Sequence, residues 1–301
     1  MTEPGYRSGM VALLGRPNVG KSTLLNRMVG AKVAIVSDKP QTTRHRILGV
    51  LSRPEGQIIF VDTPGVHRPH YRMNKRMMDT TRHVLADVDV VAMLIDATES
   101  LGGGTTYTLG LLSEVGTPVI LLLNKIDKLK KEKLLPLMDT LSREHDFAEI
   151  IPISALRGDN CELFFDACLK RLPETEQPLY PEDALTDRTE RFLVAELVRE
   201  QLLHRTRDEL PYTTAVAIES WEEGEGQRST TRISATILVD RDSQKGMVIG
   251  KGGRMLRAVG TAARKEIEKL IDQHVFLDLR VKVRPGWRES EPILDKLEIE
   301  A

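Results

Sequence analysis

The chain has 301 residues, 41% of them hydrophobic and 29% charged, with a formal net charge of −1. That length suits about two ordinary domains, and the balance excludes a fibrous or disordered chain. A charge so near zero names no polyanionic partner for the chain as a whole, so a nucleic-acid surface must come from local clustering. Met1 to Ser8 is short and polar, unlike a secretory signal, and no apolar run approaches the length of a membrane span. The cysteines, Cys161 and Cys168, are seven residues apart, near one face of a helix but too distant to bond, so buried reduced thiols are expected.

In chain order, the first apolar run is Met10-Val11-Ala12-Leu13-Leu14. It leads into Gly15-Arg16-Pro17-Asn18-Val19-Gly20-Lys21-Ser22-Thr23, and a helical pattern follows to Met28. Strand, glycine-bounded loop and helix are the context of a phosphate-binding P-loop. The glycines let the backbone curl so that N–H groups point at an anion, and the helix start adds its positive dipole end. Lys21 supplies a charge for the β- and γ-phosphates, and the Ser22 hydroxyl can ligate Mg²⁺. Ala31 to His45 lacks periodicity and holds Gln41-Thr42-Thr43-Arg44-His45, a loop placed where nucleotide switches carry a metal-binding threonine. The residues alone leave Thr42 and Thr43 as alternatives.

Ile47 to Leu51 and Gln57 to Asp62 read as strands, the second ending at Asp62-Thr63-Pro64-Gly65-Val66. An aspartate at a strand end can hold Mg²⁺, and Gly65 would bring its N–H near a γ-phosphate. The basic stretch Val66 to Met78, with His67, Arg68, His70, Arg72, Lys75 and Arg76, reads as a second mobile loop running into a helix. Val88 to Ile95 is a buried strand, followed by a Gly102-Gly103-Gly104 loop and a helix to Val115. Pro118 to Leu123 is another strand, ending at Asn124-Lys125-Ile126-Asp127. The Asp127 carboxylate can accept both the N1–H and N2–H of guanine. Adenine would leave it unpaired. Asn124 can brace the loop, and the Lys125 stem can lie over the base. Leu129 to His145 reads as an amphipathic helix and Glu149 to Ile153 as a last strand. Ser154-Ala155-Leu156 then offer small residues whose N–H groups can approach the guanine O6, and Asp159 to Arg171 closes as a helix. Alternation of strands and helices predicts an α/β, doubly wound and mostly parallel sheet, with every candidate loop at one edge.

Pro173 to Thr189 is proline-rich and reads as a linker. Thr189 is placed to cap a helix over Glu190 to Arg207. Tyr212 to Trp221 and Thr231 to Asp240 alternate as two strands of a hairpin. Then come Val248-Ile249-Gly250-Lys251-Gly252-Gly253-Arg254, a helix from Met255 to Ile271 and a strand from Val275 to Val283. A Gly250-x-x-Gly253 loop opening a helix is the nucleotide-backbone clamp of KH domains, with Lys251 and Arg254 supplying charge and Val248 and Ile249 an apolar floor. From Arg241 to Arg284, eleven Lys or Arg stand against five Asp or Glu, a local excess that favours RNA. The order of elements is that of an α+β type 2 KH domain. The domains are expected at 1–173, 189–288 after a linker over 174–188, and a tail over 289–301.

Gly15-x-x-x-x-Gly20-Lys21-Ser22, Thr42-Thr43, Asp62-x-x-Gly65, Asn124-Lys125-x-Asp127 and Ser154-Ala155-Leu156 are similar to the five ordered motifs of the translation-factor-related GTPases. Asn18 and the pair Thr43-Arg44 resemble the bacterial subgroup that holds the Era, Der and MnmE families. From Arg7 to about Arg288, a domain of this kind followed by a type 2 KH domain resembles the Era family; the paired GTPase domains of Der and the extra helical domains of MnmE are missing. The resemblance implies GTP binding and hydrolysis, with Lys21, Thr43 and Gly65 as catalytic residues and Ser22, Thr43 and Asp62 on Mg²⁺. It implies binding of the 3′ end of 16S ribosomal RNA and service in assembly of the 30S subunit. It also implies a monomer in the cytoplasm with some peripheral contact at the inner membrane. A membrane-surface GTPase coupling growth or division to ribosome biogenesis is the alternative. Ras-like enzymes carry glutamine after the Asp-x-x-Gly motif, where this chain has Val66. Slow intrinsic hydrolysis is therefore expected, completed by a partner or by K⁺ held near Asn18.

Overall fold

The computed structural model describes residues 5–66, 71–113, 115–206, 208–224 and 230–299. The chain divides into two compact units. The first comprises Met1–Ala34, Thr43–Pro69 and Met77–Asp187, and the second Ile35–Thr42, His70–Arg76 and Arg188–Ala301. The expected basic residues His67, Arg68 and His70 lie outside the described residues.

The elements up to Asp187 are β1 (Arg7–Gly15), α1 (Lys21–Val29), β2 (Ile47–Arg53), β3 (Gly56–Asp62), α2 (Arg72–Asp87), β4 (Val90–Asp96), α3 (Gly103–Leu112), β5 (Val119–Asn124), α4 (Leu134–Leu141), β6 (Glu149–Pro152) and α5 (Cys161–Leu169). Six strands form one sheet in the order β2-β3-β1-β4-β5-β6. Only β2 runs antiparallel, pairing with β3 at the edge. Along β1 the side chains alternate: Val11 and Leu13 join one apolar layer with α1 and α5, while Ala12 and Leu14 join the other. Both layers are buried, so these strands read as continuous apolar runs. Because β1 and β3 to β6 are parallel, their carboxyl ends share one edge, where open α/β sheets bind ligands. Cys161 and Cys168 are free and buried, and burial pushes the Cys168 thiol well up.

Two helices differ from expectation. α3 starts at Gly103, so two of the three loop glycines are helical. α4 covers Leu134–Leu141 rather than 129–145, with single 3₁₀ turns at Ile126–Lys128 and Lys131–Lys133 before it. Pro136 explains the late start. A proline is tolerated in the first helical turn, where its missing N–H has no partner to lose, and costs about 3 kcal/mol further in.

From Arg188 onward the elements are α6 (Glu190–Arg205), α7 (Leu210–Thr213), β7 (Ala215–Glu222), β8 (Thr230–Val239), α8 (Asp242–Ile249), α9 (Arg254–Ile271), β9 (His274–Val283) and α10 (Glu291–Lys296). Thr189 caps α6 as expected, its Oγ1 accepting from the Phe192 N–H at 3.2 Å. The sheet order is β7-β8-β9, antiparallel then parallel. Val194, Leu197 and Leu202 of α6, and Val259, Ala263 and Ile267 of α9, pack on Ile233, Ala235 and Ile237 of β8. Tyr212 and Thr213 belong to α7, not to the strand. α8 was not legible in the sequence: Gly246, Val248 and Ile249 are weak helix formers. It forms because Val248 is fully buried in the apolar core and Gln244 Oε1 accepts the Asp240 and Arg241 N–H groups at 3.0 and 3.1 Å. Within the expected tail Leu294 and Ile299 are buried; Trp287, just before it, is also buried, and its Nε1 donates to the Thr213 carbonyl at 3.0 Å.

No helix among the described residues is long and apolar enough to cross a membrane.

Candidate functional site

The loop between β1 and α1 is shaped by two backbone facts. Gly15 has φ +154°, and a Cβ there would lie 2.5 Å from the Leu94 carbonyl oxygen. Only glycine lets β1 turn so close to β4. Gly65 is the second: a Cβ would come within 2.9 Å of the Pro17 backbone, so the Asp62–Gly65 turn presses on the loop. Val66 N–H donates to the Gly15 carbonyl at 3.1 Å and joins the two. Arg16 reaches out to Glu99 at 3.1 Å, Asn18 takes a left-handed φ of 65°, and Val19 is buried.

Lys21 opens α1 and is buried, its Nζ donating to the Gly15 and Arg16 carbonyls at 3.1 and 3.2 Å. Burial lowers its pKa, an effect the Asp62 charge partly opposes. Asp62 is fully buried at the end of β3, and burial raises its pKa against Lys21, Ser22 and Thr43. Ser22 Oγ donates to Asp62 Oδ2 at 2.6 Å. Thr43 Oγ1, 2.9 Å from Ser22 Oγ, donates to the same oxygen at 3.2 Å. The other carboxylate oxygen, Oδ1, is buried with no hydrogen-bond partner among the described residues. Two hydroxyls and a carboxylate with an orphaned oxygen form a hard, all-oxygen donor set that fits Mg²⁺. The two threonines separate cleanly: Thr42 Oγ1 donates to the Lys39 carbonyl at 2.5 Å and is committed to its own loop. Arg44 and His45 beyond them are buried, and Gln41 is left-handed at φ 59°. Thr63 Oγ1 donates to the Leu13 carbonyl at 2.8 Å, Pro64 and Val66 are buried, and the residue directly after Gly65 is the apolar Val66.

The elements expected to read the base meet at the ends of β5 and β6. Asn124 Nδ2 donates to the Val19 carbonyl at 2.7 Å, and its Oδ1 accepts from the Ala155 N–H at 2.9 Å. One side chain thus ties the P-loop to the Ser154–Leu156 turn. Ser154 Oγ donates to Asp127 Oδ1 at 2.7 Å and orients the carboxylate. Arg27 holds the Ala155 and Leu156 carbonyls, while the Ser154 N–H donates to the Asp159 carbonyl at 3.1 Å.

Sequence reasoning missed Asp96. It ends β4 opposite Asn124 in the sheet register, and Lys125 Nζ donates to its Oδ2 at 2.5 Å. Its Oδ1 accepts from Thr98 N–H and Oγ1 at 2.9 and 2.6 Å. Burial would raise the Asp96 pKa, but the bonds from Lys125 and Thr98 outweigh it and the carboxyl stays below its ordinary value. Lys125 itself sits at φ 68°, so its stem is fixed at both ends. An aspartate closing an apolar strand was the available signal.

The Gly250–Gly253 loop lies between α8 and α9. Gly250, Gly252 and Gly253 have φ of 70°, 62° and 75°, and α9 begins immediately at Arg254. A Cβ on Gly252 or Gly253 would meet nothing within 4 Å, so the loop backbone is open to an incoming phosphate. Lys251 and Arg254 are exposed beside it. Val248 does not supply the expected apolar floor: its side chain points into the core and supports the loop from behind. Ile249 is partly buried against the same core.

Residues 10–125 match a family described as 50S ribosome-binding GTPase, and residues 209–288 match the KH domain family. A crystal structure of Era in complex with MgGDPNP and nucleotides 1506–1542 of 16S ribosomal RNA is 40% identical. It covers 98% of this chain and 100% of that one, with TM-score 0.93. A point variant of Aquifex aeolicus Era bound to GDP·AlF₄⁻ is also 40% identical over the same shares, with TM-score 0.91. The class is thus a P-loop GTPase carrying a KH domain. The chain belongs to the Era family of GTPases.

Proposed function

We propose that this chain is a GTP-driven switch that binds the 3′ end of 16S ribosomal RNA through Gly250–Arg254 and assists assembly of the 30S subunit. The observation that carries the reading is the union, in one chain, of a guanine-reading site with an open glycine loop at the head of a basic helix. The whole-length likeness to an Era bound to such an RNA supports it, and it outweighs the 50S in the description of a family matched over residues 10–125 alone.

In the nucleotide site, Lys21 exchanges the Gly15 and Arg16 carbonyls for the β- and γ-phosphates. Ser22, Thr43 and Asp62 are the residues that would hold Mg²⁺, which when bound neutralises charge on those phosphates. Thr43, rather than Thr42, is the switch threonine. The Gly65 N–H donates to the γ-phosphate. Water attacks the γ-phosphorus in line, and the bond to the β–γ bridging oxygen breaks. Val66, buried and apolar, cannot orient that water, so turnover of the isolated chain is slow. K⁺ near Asn18, or a partner, completes the site. Asp127 accepts from guanine N1–H and N2–H, and Asp96 holds Lys125 over the ring. The chain works as a monomer on the cytoplasmic side, and any membrane contact is peripheral.

The test is titration of the 16S segment 1506–1542 with GDP and with GDPNP, on the wild-type chain and on Gly250→Asp, Gly253→Asp. Tighter binding with GDPNP that is lost in the double variant is expected. Binding indifferent to the glycines would overturn the reading of the loop. Turnover measured in K⁺ and Na⁺ buffers checks the cation, with faster hydrolysis expected in K⁺.

A further inference from the structure

Glu196 and Arg199 stand one helical turn apart on α6, and both are buried, at 6% and 2% exposure. Arg199 Nε donates to Glu196 Oε1 at 2.7 Å and Nη2 to Oε2 at 2.6 Å, so the pair is bidentate. Nη2 also donates to the main-chain carbonyl of Thr42. Nη1 is buried with no hydrogen-bond partner among the described residues. Ile35–Thr42 and α6 belong to the same compact unit.

A buried ion pair is a poor device for stability alone. Two apolar side chains of the same volume usually pack as well or better, and they leave no guanidinium nitrogen unpaired. What they cannot do is hold a carbonyl. No helix or strand lies between α1 and β2, so side chains must hold the backbone of that loop where a ladder would otherwise do so. The Thr42 oxygen belongs to the planar peptide group that ends at the Thr43 Cα. Fixing the oxygen therefore fixes the plane from which Thr43 departs. Thr42 is also held by its own Oγ1 on the Lys39 carbonyl.

We propose that Arg199, oriented by Glu196, is a positioning residue for the Mg²⁺-binding threonine of the GTP site. Its guanidinium sets the Thr42–Thr43 peptide so that the Thr43 hydroxyl lies beside Ser22 and Asp62. The inference rests on the reading of Thr43 as a Mg²⁺ ligand. It acts in the triphosphate state, where the γ-phosphate and Mg²⁺ order a switch loop, and leaves the diphosphate state alone.

The experiment uses the full chain. It reads the Mg²⁺ concentration that half-saturates binding of fluorescent GDPNP, beside the affinity for GDP and the melting temperature. Glu196→Met with Arg199→Met removes the pair at similar volume and strands no charge in the core. Glu196→Gln keeps the guanidinium but loosens its orientation. The double variant should need roughly 10- to 100-fold more Mg²⁺ for GDPNP, the range typical of residues that orient a metal ligand. Glu196→Gln should need a smaller excess, and GDP affinity should stay at the wild-type value in both. Thr43→Ala is the control for the ligand. If Thr43→Ala raises the Mg²⁺ requirement and the double variant, melting as wild type, does not, the positioning role is overturned and the ligand reading stands. If the double variant weakens GDP and GDPNP alike, the pair serves general packing and the positioning role is again overturned. Should the double variant fail to fold, an unchanged Mg²⁺ requirement in Glu196→Gln overturns it instead. If Thr43→Ala leaves the Mg²⁺ requirement unchanged, the ligand reading fails, and the inference with it.

Discussion

At Gly15 an added Cβ would lie 2.5 Å from a backbone carbonyl; at Gly252 and Gly253 it would meet nothing within 4 Å. Both loops precede a helix N-terminus, and on the proposed reading both offer main-chain N–H groups to phosphates. They are built on different terms. The Gly15–Ser22 loop is enclosed: Lys21 is buried on its carbonyls, Asn124 braces it from β5, and Gly65 presses on Pro17. Gly15 is needed because the Leu94 backbone occupies the space, and Gly20 because the Asn124 side chain does. The Gly250–Gly253 loop is bare on its outer side, and Gly252 is needed for its left-handed φ alone. A site that must grip one triphosphate in one pose is enclosed in advance. A site that, on the proposed reading, accepts a polymer of varied bases is left open.

This contrast can be broken by substitution. The largest effect is expected at the enclosed site. Asp127→Asn removes the charged acceptor proposed to face two guanine donors and should weaken GDP on the order of 10²- to 10⁴-fold, measured by fluorescent-nucleotide titration, with RNA binding at saturating nucleotide unchanged. Gly15→Ala should follow, costing about 3 kcal/mol in thermal unfolding, because no flexible side chain can yield to the new methyl. An unfolding midpoint equal to wild type would show that the loop is less enclosed than its geometry states. Asp96→Asn weakens the clamp on Lys125 without touching the P-loop. GDP should dissociate roughly tenfold faster, about 1.4 kcal/mol, while inorganic pyrophosphate binds as before. Equal losses for both ligands would place Asp96 in general packing instead. The smallest effect belongs to the open loop. Gly252→Ala should cost about 1 kcal/mol of stability, from the φ of 62° alone. A loss as large as that of Gly15→Ala would erase the distinction.

The sequence by itself determined what depends on short spacing. Gly15 to Ser22, Asp62 to Gly65, Asn124 to Asp127 and Gly250 to Gly253 are local chemistries, each readable because strand, turn and helix signals flank it at fixed distance. The doubly wound sheet followed from the alternation of apolar runs. Tertiary structure decided what depends on partners distant in the chain. Thr43 rather than Thr42 faces Asp62, because the loop's path turns one hydroxyl to Lys39 and the other to Ser22. Asp96 became part of the base-reading edge only when β4 paired with β5. Val248 went into the core and made α8 a helix against its own propensities. Spacing is written in the chain, but register, burial and the choice between two neighbouring hydroxyls arise only when packing brings far residues together.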